Sequence, residues 1–355
     1  MKECDEMANI YPIIMNTEFE SKCLFDDYIS FIWTPRYYSP GDFELCLQVN
    51  QKALTYIRKD YYVMRTDDEN VGIIENIDIK NDQYGNEMMI VSGRFLSSIL
   101  ERRIIAKQTQ FNSSTVSNIV KRLIKDAITQ PEIAARQIPN FVYHQYVIDT
   151  PITRQFTGQN LLTTVEELGR EFGFGFKTTL NSSHEFVFTL YEGIDRTYDQ
   201  NENPFAVFSD RYDNLLSSEY IEHYSDQVTD VLVAGEGEGL QRKTAWATKR
   251  NLTGLARYEL YKDSRNTRSN DGEIPESEYL ASLRAEGKAE ITNYTTAFSG
   301  QVDFENVKYK EDINLGDLCV IENSKWGIHV NARLIEVIES VDETGAYTLN
   351  PTFGL

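Results

Sequence analysis

Fifty-five Asp and Glu residues make paired acids the first place to look for chemistry, since two carboxylates flanking a bond are the machinery of glycoside hydrolysis. Glu166-Glu167 lies on a predicted helix, where neighbours at i, i+1 diverge by about 100° and do not share a substrate. Asp67-Asp68-Glu69 lies in a turn and reads as a solvated acidic loop. With 21 tyrosines to line a cleft, a carboxylate-dependent carbohydrate or cell-wall hydrolase, or a carbohydrate-binding β protein, stands as the alternative reading. Gly235-Glu-Gly-Glu-Gly239 follows a strand as a dinucleotide loop would. It lacks the G-x-G-x-x-G spacing, and it sets two glutamates where a pyrophosphate needs neutral backbone donors at a helix start. It reads as a flexible strand connection, and Phe172-Gly-Phe-Gly-Phe176 as a strand beginning just after a helix. His144, His184, His223 and His329 are scattered, with no H-x-x-x-H spacing for a metal. There is no G-x-S-x-G, and Ser92-Gly93 and Ser299-Gly300 fit turns. Cys4, Cys23, Cys46 and Cys319 form no CxxC and read as reduced, mostly buried thiols. No catalytic, cofactor-binding or metal residue is assigned, and the chain reads as a non-enzyme.

Composition narrows the classes further. The 355 residues carry 35 Lys+Arg against 55 Asp+Glu, a net charge of −20. Wrapping nucleic acid or lying on an anionic membrane needs a basic face, so both are disfavoured. The longest apolar runs, such as Val231-Leu-Val-Ala234, are far short of the about 20 residues that span a bilayer. Met1-Lys-Glu-Cys-Asp-Glu6 has no apolar stretch after it and is not a secretory signal, so synthesis in a cytoplasm is expected.

The elements that must position these residues fall into a changing texture. Phe43, Leu45, Leu47 and Val49 alternate with polar residues, and 52–58, 61–66, 71–80 and 87–92 continue as short predicted strands, the pattern of a barrel or sandwich. Ser114 or Thr115 is expected to cap a helix carrying Val116, Ile119, Val120, Leu123, Ile124, Ala127 and Ile128 on one face, stopped by Pro131. Leu161, Val165, Leu168 and Phe172 mark a second helix ended by Gly173, and a hairpin follows through Phe176 and Phe186 to Leu190. Val228 to Ala234 is a strand, and a helix starts near Pro275 with Glu276 and Glu278 in its first turn. The chain closes on a hairpin with Ile335, Val337 and Val341 on one side and Tyr347 and Leu349 beyond the turn.

Three segments carry a resemblance. They are Val91-Ser-Gly-Arg-Phe-Leu-Ser-Ser-Ile-Leu-Glu-Arg-Arg-Ile104, Arg211-Tyr-Asp-Asn-Leu215 leading to Tyr224 and Asp230–Gly235, and Tyr309–Ile321 with Leu315-Gly-Asp317 followed by Ala332–Val337. In this order they resemble the tail-hub, tail-associated (Tal-type) baseplate proteins of long-tailed phages and prophages of Gram-positive bacteria. The resemblance implies a mixed β and α+β fold. Two small antiparallel β-barrel domains would flank an α+β domain, with a small helical insertion in the second barrel. The division implied is 1–92, 93–204, 205–250 with 300–355, and an inserted 251–299. It further implies a homotrimer forming a pseudo-hexameric ring at the virion tail tip, assembled in the bacterial cytoplasm. Its partners would be the distal tail protein ring, a receptor-binding or tail-fibre protein and the tape-measure protein. DNA would pass through the lumen without specific binding, gated until host attachment, with no cofactor and no membrane insertion. Longer hub proteins often carry a C-terminal wall-degrading or fibre-like extension. Ending at Leu355, this chain is expected to leave that activity to a partner.

Overall fold

The computed structural model describes residues 10–81, 85–225, 227–248, 251–292, 295–299, 302 and 307–354. The acidic start Met1–Glu6 with Cys4, the centre of the turn over 81–86, and Gly300 lie outside them.

The first part of the chain is strand-rich: β1 (Ile13–Met15), β2 (Ser21–Leu24), β3 (Tyr28–Thr34), β4 (Asp42–Gln48), β5 (Tyr62–Met64), β6 (Val71–Ile73), β7 (Asn76–Asn81) and β8 (Glu87–Arg94). Alternation works as expected in β4, where Phe43, Leu45 and Leu47 are buried and Glu44 and Gln48 exposed. The segment expected as a strand over 52–58 is instead a short helix, α1 (Gln51–Tyr56). Asn50 decides this, because its side-chain oxygen accepts the Ala53 amide at 2.8 Å and so caps the first turn.

A 3₁₀ helix over Leu96–Arg102 leads into β9 (Thr109–Thr115), α2 (Val116–Ile124), β10 (Phe141–His144), β11 (Pro151–Phe156), α3 (Leu161–Phe172), β12 (Gly175–Leu180) and β13 (Phe186–Tyr191). α2 buries Val116, Ile119, Val120, Leu123 and Ile124 and runs on as a π-helical turn over Lys125–Thr129. The expected hydroxyl cap is not made: the side chain of Thr115, the N-cap residue, accepts no helix amide, and the Val116 amide donates to the Thr150 carbonyl at 3.1 Å. α3 is capped by Asn160 and ends at Gly173, whose φ of 77° is the left-handed conformation glycine adopts without strain. β12 and β13 form the expected hairpin, with Phe176 opposite Leu190.

The last part contains β14 (Val207–Ser209), β15 (Glu219–His223), β16 (Asp230–Ala234), β17 (Thr244–Thr248), β18 (Glu259–Asp263), α4 (Glu276–Glu290), β19 (Thr295–Ser299), β20 (Leu318–Asn323), β21 (Ile328–Asp342) and β22 (Tyr347–Gly354). β21 is 15 residues long, about 50 Å at ~3.3 Å per residue. It pairs with β22 along one edge; along the other it pairs first with β20 and then with β3, Glu339 lying opposite Trp33. Strands from both ends of the chain therefore belong to one ten-stranded sheet, whose main path runs β15-β19-β22-β21-β3-β4-β8-β7. In the closing hairpin the register shifts between Leu334 and Glu336. That irregularity buries Leu334 and Val337 together and leaves Ile335, expected on the inner face, only half-buried.

The fold is thus β-rich and mixed, with several sheets and four α-helices among the described residues. Four apolar cores organise it: one around Trp33 and Phe43, one joining α2, α3, β12 and β13, one around Phe208 and Val337, and one between α4 and the sheet β17-β16-β18. In the last, Val231, Val233, Ala245 and Ala247 pack against Tyr279 and Leu283 of α4. Residues 230–248, grouped from sequence with 205–250, therefore share their core with the helix of 251–299. Gly287 makes this possible, since a Cβ there would lie 2.6 Å from the Ala247 Cβ.

Candidate functional site

Glu166 faces Arg170, 3.6 Å away on its own helix, while Glu167 lies near Lys262 and Glu290 of the other unit. Burial pushes both carboxyls up, but they look toward different neighbours, as the i, i+1 spacing requires. The glycine run leads from β16 through a 3₁₀ turn into β17 and is an ordered connection. The Glu236 amide donates to the Tyr279 hydroxyl at 2.8 Å, and the Glu236 carboxylate accepts the Ser269 amide at 2.9 Å. His184 stacks on Phe19, and His329 Nδ1 sits 3.1 Å from Glu322. Cys319 is buried, whereas Cys23 and Cys46 are only half-buried. Among the described residues no three His, Cys, Asp or Glu side chains converge as a metal site.

Asp67-Asp68-Glu69 is where the structure departs most from expectation, because this turn is anchored by cations. Arg65 binds Asp67, Lys310 reaches Asp68 at 2.7 Å, and Lys177 binds Glu69. The three cations come from three regions of the chain. Behind the turn lies Glu339, 1% exposed on β21. It pairs with Arg65 at 2.8 Å and Lys310 at 3.0 Å, and it accepts the Tyr347 hydroxyl at 2.9 Å. Burial alone would lower the Arg65 and Lys310 pKa values; the surrounding carboxylates outweigh it and hold both above their usual range. Burial likewise raises Tyr347 and Tyr309.

Beside this cluster a cavity of about 410 Å³ is lined by Asp68 and Glu69, by Lys177 and Glu192, and by Lys310 and Asp317, so the first, middle and last parts of the chain meet there. Tyr37 closes its neighbourhood. Its hydroxyl donates to the Gly173 carbonyl at 3.0 Å and accepts the Gly193 amide at 3.2 Å, and Arg333 lies over its ring at 5.4 Å. The Leu315-Gly316-Asp317 turn, read from sequence as feeding a strand paired with the Arg333 segment, does so: Leu318 lies opposite Arg333. Gly316 has φ 98°, and a Cβ there would meet the Tyr37 ring at 2.3 Å. Asp317, 1% exposed, accepts the Ile194 amide and Arg196 Nε, both at 2.7 Å, and so ties the turn to the middle unit.

In the other two segments of the resemblance, Val91–Arg94 ends β8 and the expected short helix is the 3₁₀ turn, while Asn214 is buried and holds the loop after β14. Sequence reasoning missed Arg65, Lys310, Glu339 and Tyr37. A signal existed for Glu339, a charge at an inward position of the alternating run Val337-x-Glu339-x-Val341. None existed for the others, whose joining contacts (Tyr37 to Gly173, Lys310 to Asp68 and Arg65 to Glu339) span 136, 242 and 274 residues of sequence.

Every carboxylate of the cluster is matched by a cation, so the junction holds units together rather than presenting a free acid and base. No curated protein matches this sequence. Among solved structures, the prophage tail protein gp18 from Listeria monocytogenes EGD-e is 11% identical, with 97% of this chain and 94% of that chain covered and a TM-score of 0.54. The tail protein from Neisseria meningitidis MC58 is 13% identical, with 98% and 97% covered and a TM-score of 0.55. The prophage MuSo2 43 kDa tail protein from Shewanella oneidensis is 12% identical, with 97% of each covered and a TM-score of 0.55. At such identities the likeness is one of fold. Residues 11–355 match the family described as Siphovirus ReqiPepy6 Gp37-like protein. The resemblance to phage tail proteins read from the three segments holds, and the chain belongs to the Siphovirus ReqiPepy6 Gp37-like protein family, with the fold of prophage tail proteins.

Proposed function

We propose that the chain is a structural baseplate hub at the distal end of a phage tail, and not an enzyme. On this reading 1–92 and 205–250 with 300–355 are the two barrel units, 93–204 is the α+β domain and 251–299 the inserted domain. Three copies form a pseudo-hexameric ring that links the distal tail protein ring above to a receptor-binding or fibre protein below. The tape-measure protein meets it from the tube, and DNA leaves through its lumen after host attachment. The ring is assembled in the host cytoplasm and stays at the tail tip.

The observation that carries this reading is β21. It draws strands from both ends of the chain into one sheet and carries Glu339 into the ion cluster at their junction. Two β units rigidly joined in one chain are what a three-fold assembly needs to offer six near-equivalent surfaces to a six-fold tube. The outer strand β7 adds support. Among the described residues it pairs only with β8, and all six of its residues are exposed, Ile79 at 53%. An open edge of this kind is a template for pairing with another chain. At −20 per chain, three copies carry 3 × −20 = −60, a charge that repels the phosphates of passing DNA. The experiment is a copy count by quantitative mass spectrometry of purified phage particles. Three chains per tail are expected, and a count matching the repeating tube protein would contradict the hub. Release of sugars or muropeptides from host cell walls by the purified chain would contradict the non-enzymatic reading.

A further inference from the structure

The α+β unit carries a groove that the hub reading does not use. Its floor is Ile105, Leu123 and Ala127, all buried. Its walls include Ile104 and Ile133, which are 50% and 62% exposed although both are fully apolar. The cavity is about 480 Å³, within the ~300–1,000 Å³ typical of binding sites. One wall is the π-helical turn over Lys125–Thr129, where the Gln130 amide donates to the Lys125 carbonyl at 2.8 Å. Such turns recur at functional sites, since the added residue widens the helix and displaces the side chains that follow.

The charge around this groove reverses that of the molecule. Residues 102–136 hold seven Lys or Arg against two Asp or Glu, a net of +5, so the rest of the chain carries −25. The rim shows the same bias. Lys107 and Arg136 stand on it with no carboxylate in ion-pair range among the described residues. Arg136 and its neighbour Arg103 are instead committed to backbone carbonyls, Arg136 to Ile104 at 2.6 Å and Arg103 to Arg136 at 2.8 Å. The crowding of Arg103 with Arg136 and Arg102 adds to burial in lowering its pKa. Two acids also line the groove: Asp126 is paired with Arg122 at 2.6 Å, and Glu132 is exposed.

We propose that this groove docks an acidic amphipathic segment of a partner protein, its apolar side chains lying between Ile104 and Ile133 and its carboxylates meeting Lys107 and Arg136. Exposed isoleucines on the walls of a groove call for apolar anchors, and helix-in-groove recognition supplies them at i, i+3 or i+4 spacing. The basic rim selects against basic or neutral segments by leaving its charges unpaired. The inference stands on the groove alone and does not need the hub assembly.

The test uses the full chain and three fluorescein-labelled synthetic peptides of about 18 residues, above the ~12–15 that an isolated helix needs. One has Leu at i, i+4 spacing flanked by Glu; one has the same Leu flanked by Lys; one has Glu with every Leu replaced by Ser. Fluorescence anisotropy should show saturable binding of the Glu/Leu peptide only. Lys107→Glu and Ile133→Ser should each weaken it about tenfold. Lys107→Glu should also shift preference toward the Lys/Leu peptide. Absence of saturable binding, equal binding of the Ser peptide, or indifference to both substitutions would overturn the proposal. Both side chains are exposed, so a lowered melting temperature in either variant would show that they are not free surface and would also overturn it. So would a wild-type oligomer that either variant dissociates, since the occupant would then be a second copy of this chain.

Discussion

Glu339 has no exposure to speak of and three partners, Arg65, Lys310 and the Tyr347 hydroxyl, within 3.0 Å. Removing one member of a buried ionic group leaves the others uncompensated, which typically costs about 3–5 kcal/mol. Glu339→Gln is therefore expected to lower unfolding free energy by that amount in urea titration, whereas Lys22→Ala, at an exposed pair, should leave it nearly unchanged. Equal effects would mean that the cluster is not a structural lock. Tyr37 supplies a pH test. Burial pushes its hydroxyl up to about 12, above the ordinary tyrosine value near 10, against the attraction of Arg333. The folded chain keeps this proton where the unfolded chain has released it. Its contribution is therefore whole below pH 10 and is lost as pH rises from 10 through 12, reaching about 3 kcal/mol. Tyr37→Phe should be less stable at pH 7, having lost the bonds to Gly173 and Gly193, but should decline less steeply between pH 10 and 12. An unchanged slope would contradict the assignment.

At the scale of elements, α4 lies on β16 and β17 only because residue 287 has no side chain. Gly287→Leu should force the helix off the sheet. Limited proteolysis should then cut within 228–291 while the other three cores, which share no residue with this one, stay protected. Cleavage throughout would show that the cores are not separable. Elements long enough to repeat their period were legible in the sequence: β4, α2, α3 and the β12–β13 hairpin all stand where their apolar spacing puts them. Shorter or irregular ones were not. α1 spans six residues, fewer than two turns, so its period cannot show and a single cap from Asn50 decides it. The placement of Ile335 failed because a register shift is set by the partner strand, about which the local pattern says nothing.

At the scale of the whole molecule, β21 is the element that joins strands from both ends of the chain, and its pairing with β3 joins positions more than 300 residues apart in sequence. Such a contact is invisible to local periodicity, which is why Asp67-Asp68-Glu69 reads as a solvated loop until Lys310 and Lys177 are seen beside it. The acidic surplus was legible from composition, but not its uneven distribution, with +5 gathered over 102–136 in a chain of −20. The family was legible only through the order of three weak segments, of which Leu315-Gly316-Asp317 has the plainest physical basis, a left-handed glycine against Tyr37 followed by a buried aspartate. On the proposed reading, three such chains close the distal end of a tail. Cryo-electron microscopy of intact phage particles, with the density at the tail tip fitted by this fold, tests it most directly. Three copies in a ring of six β lobes are expected at the distal end of the tube; another copy number, or the chain at any other place in the particle, would rule out the hub.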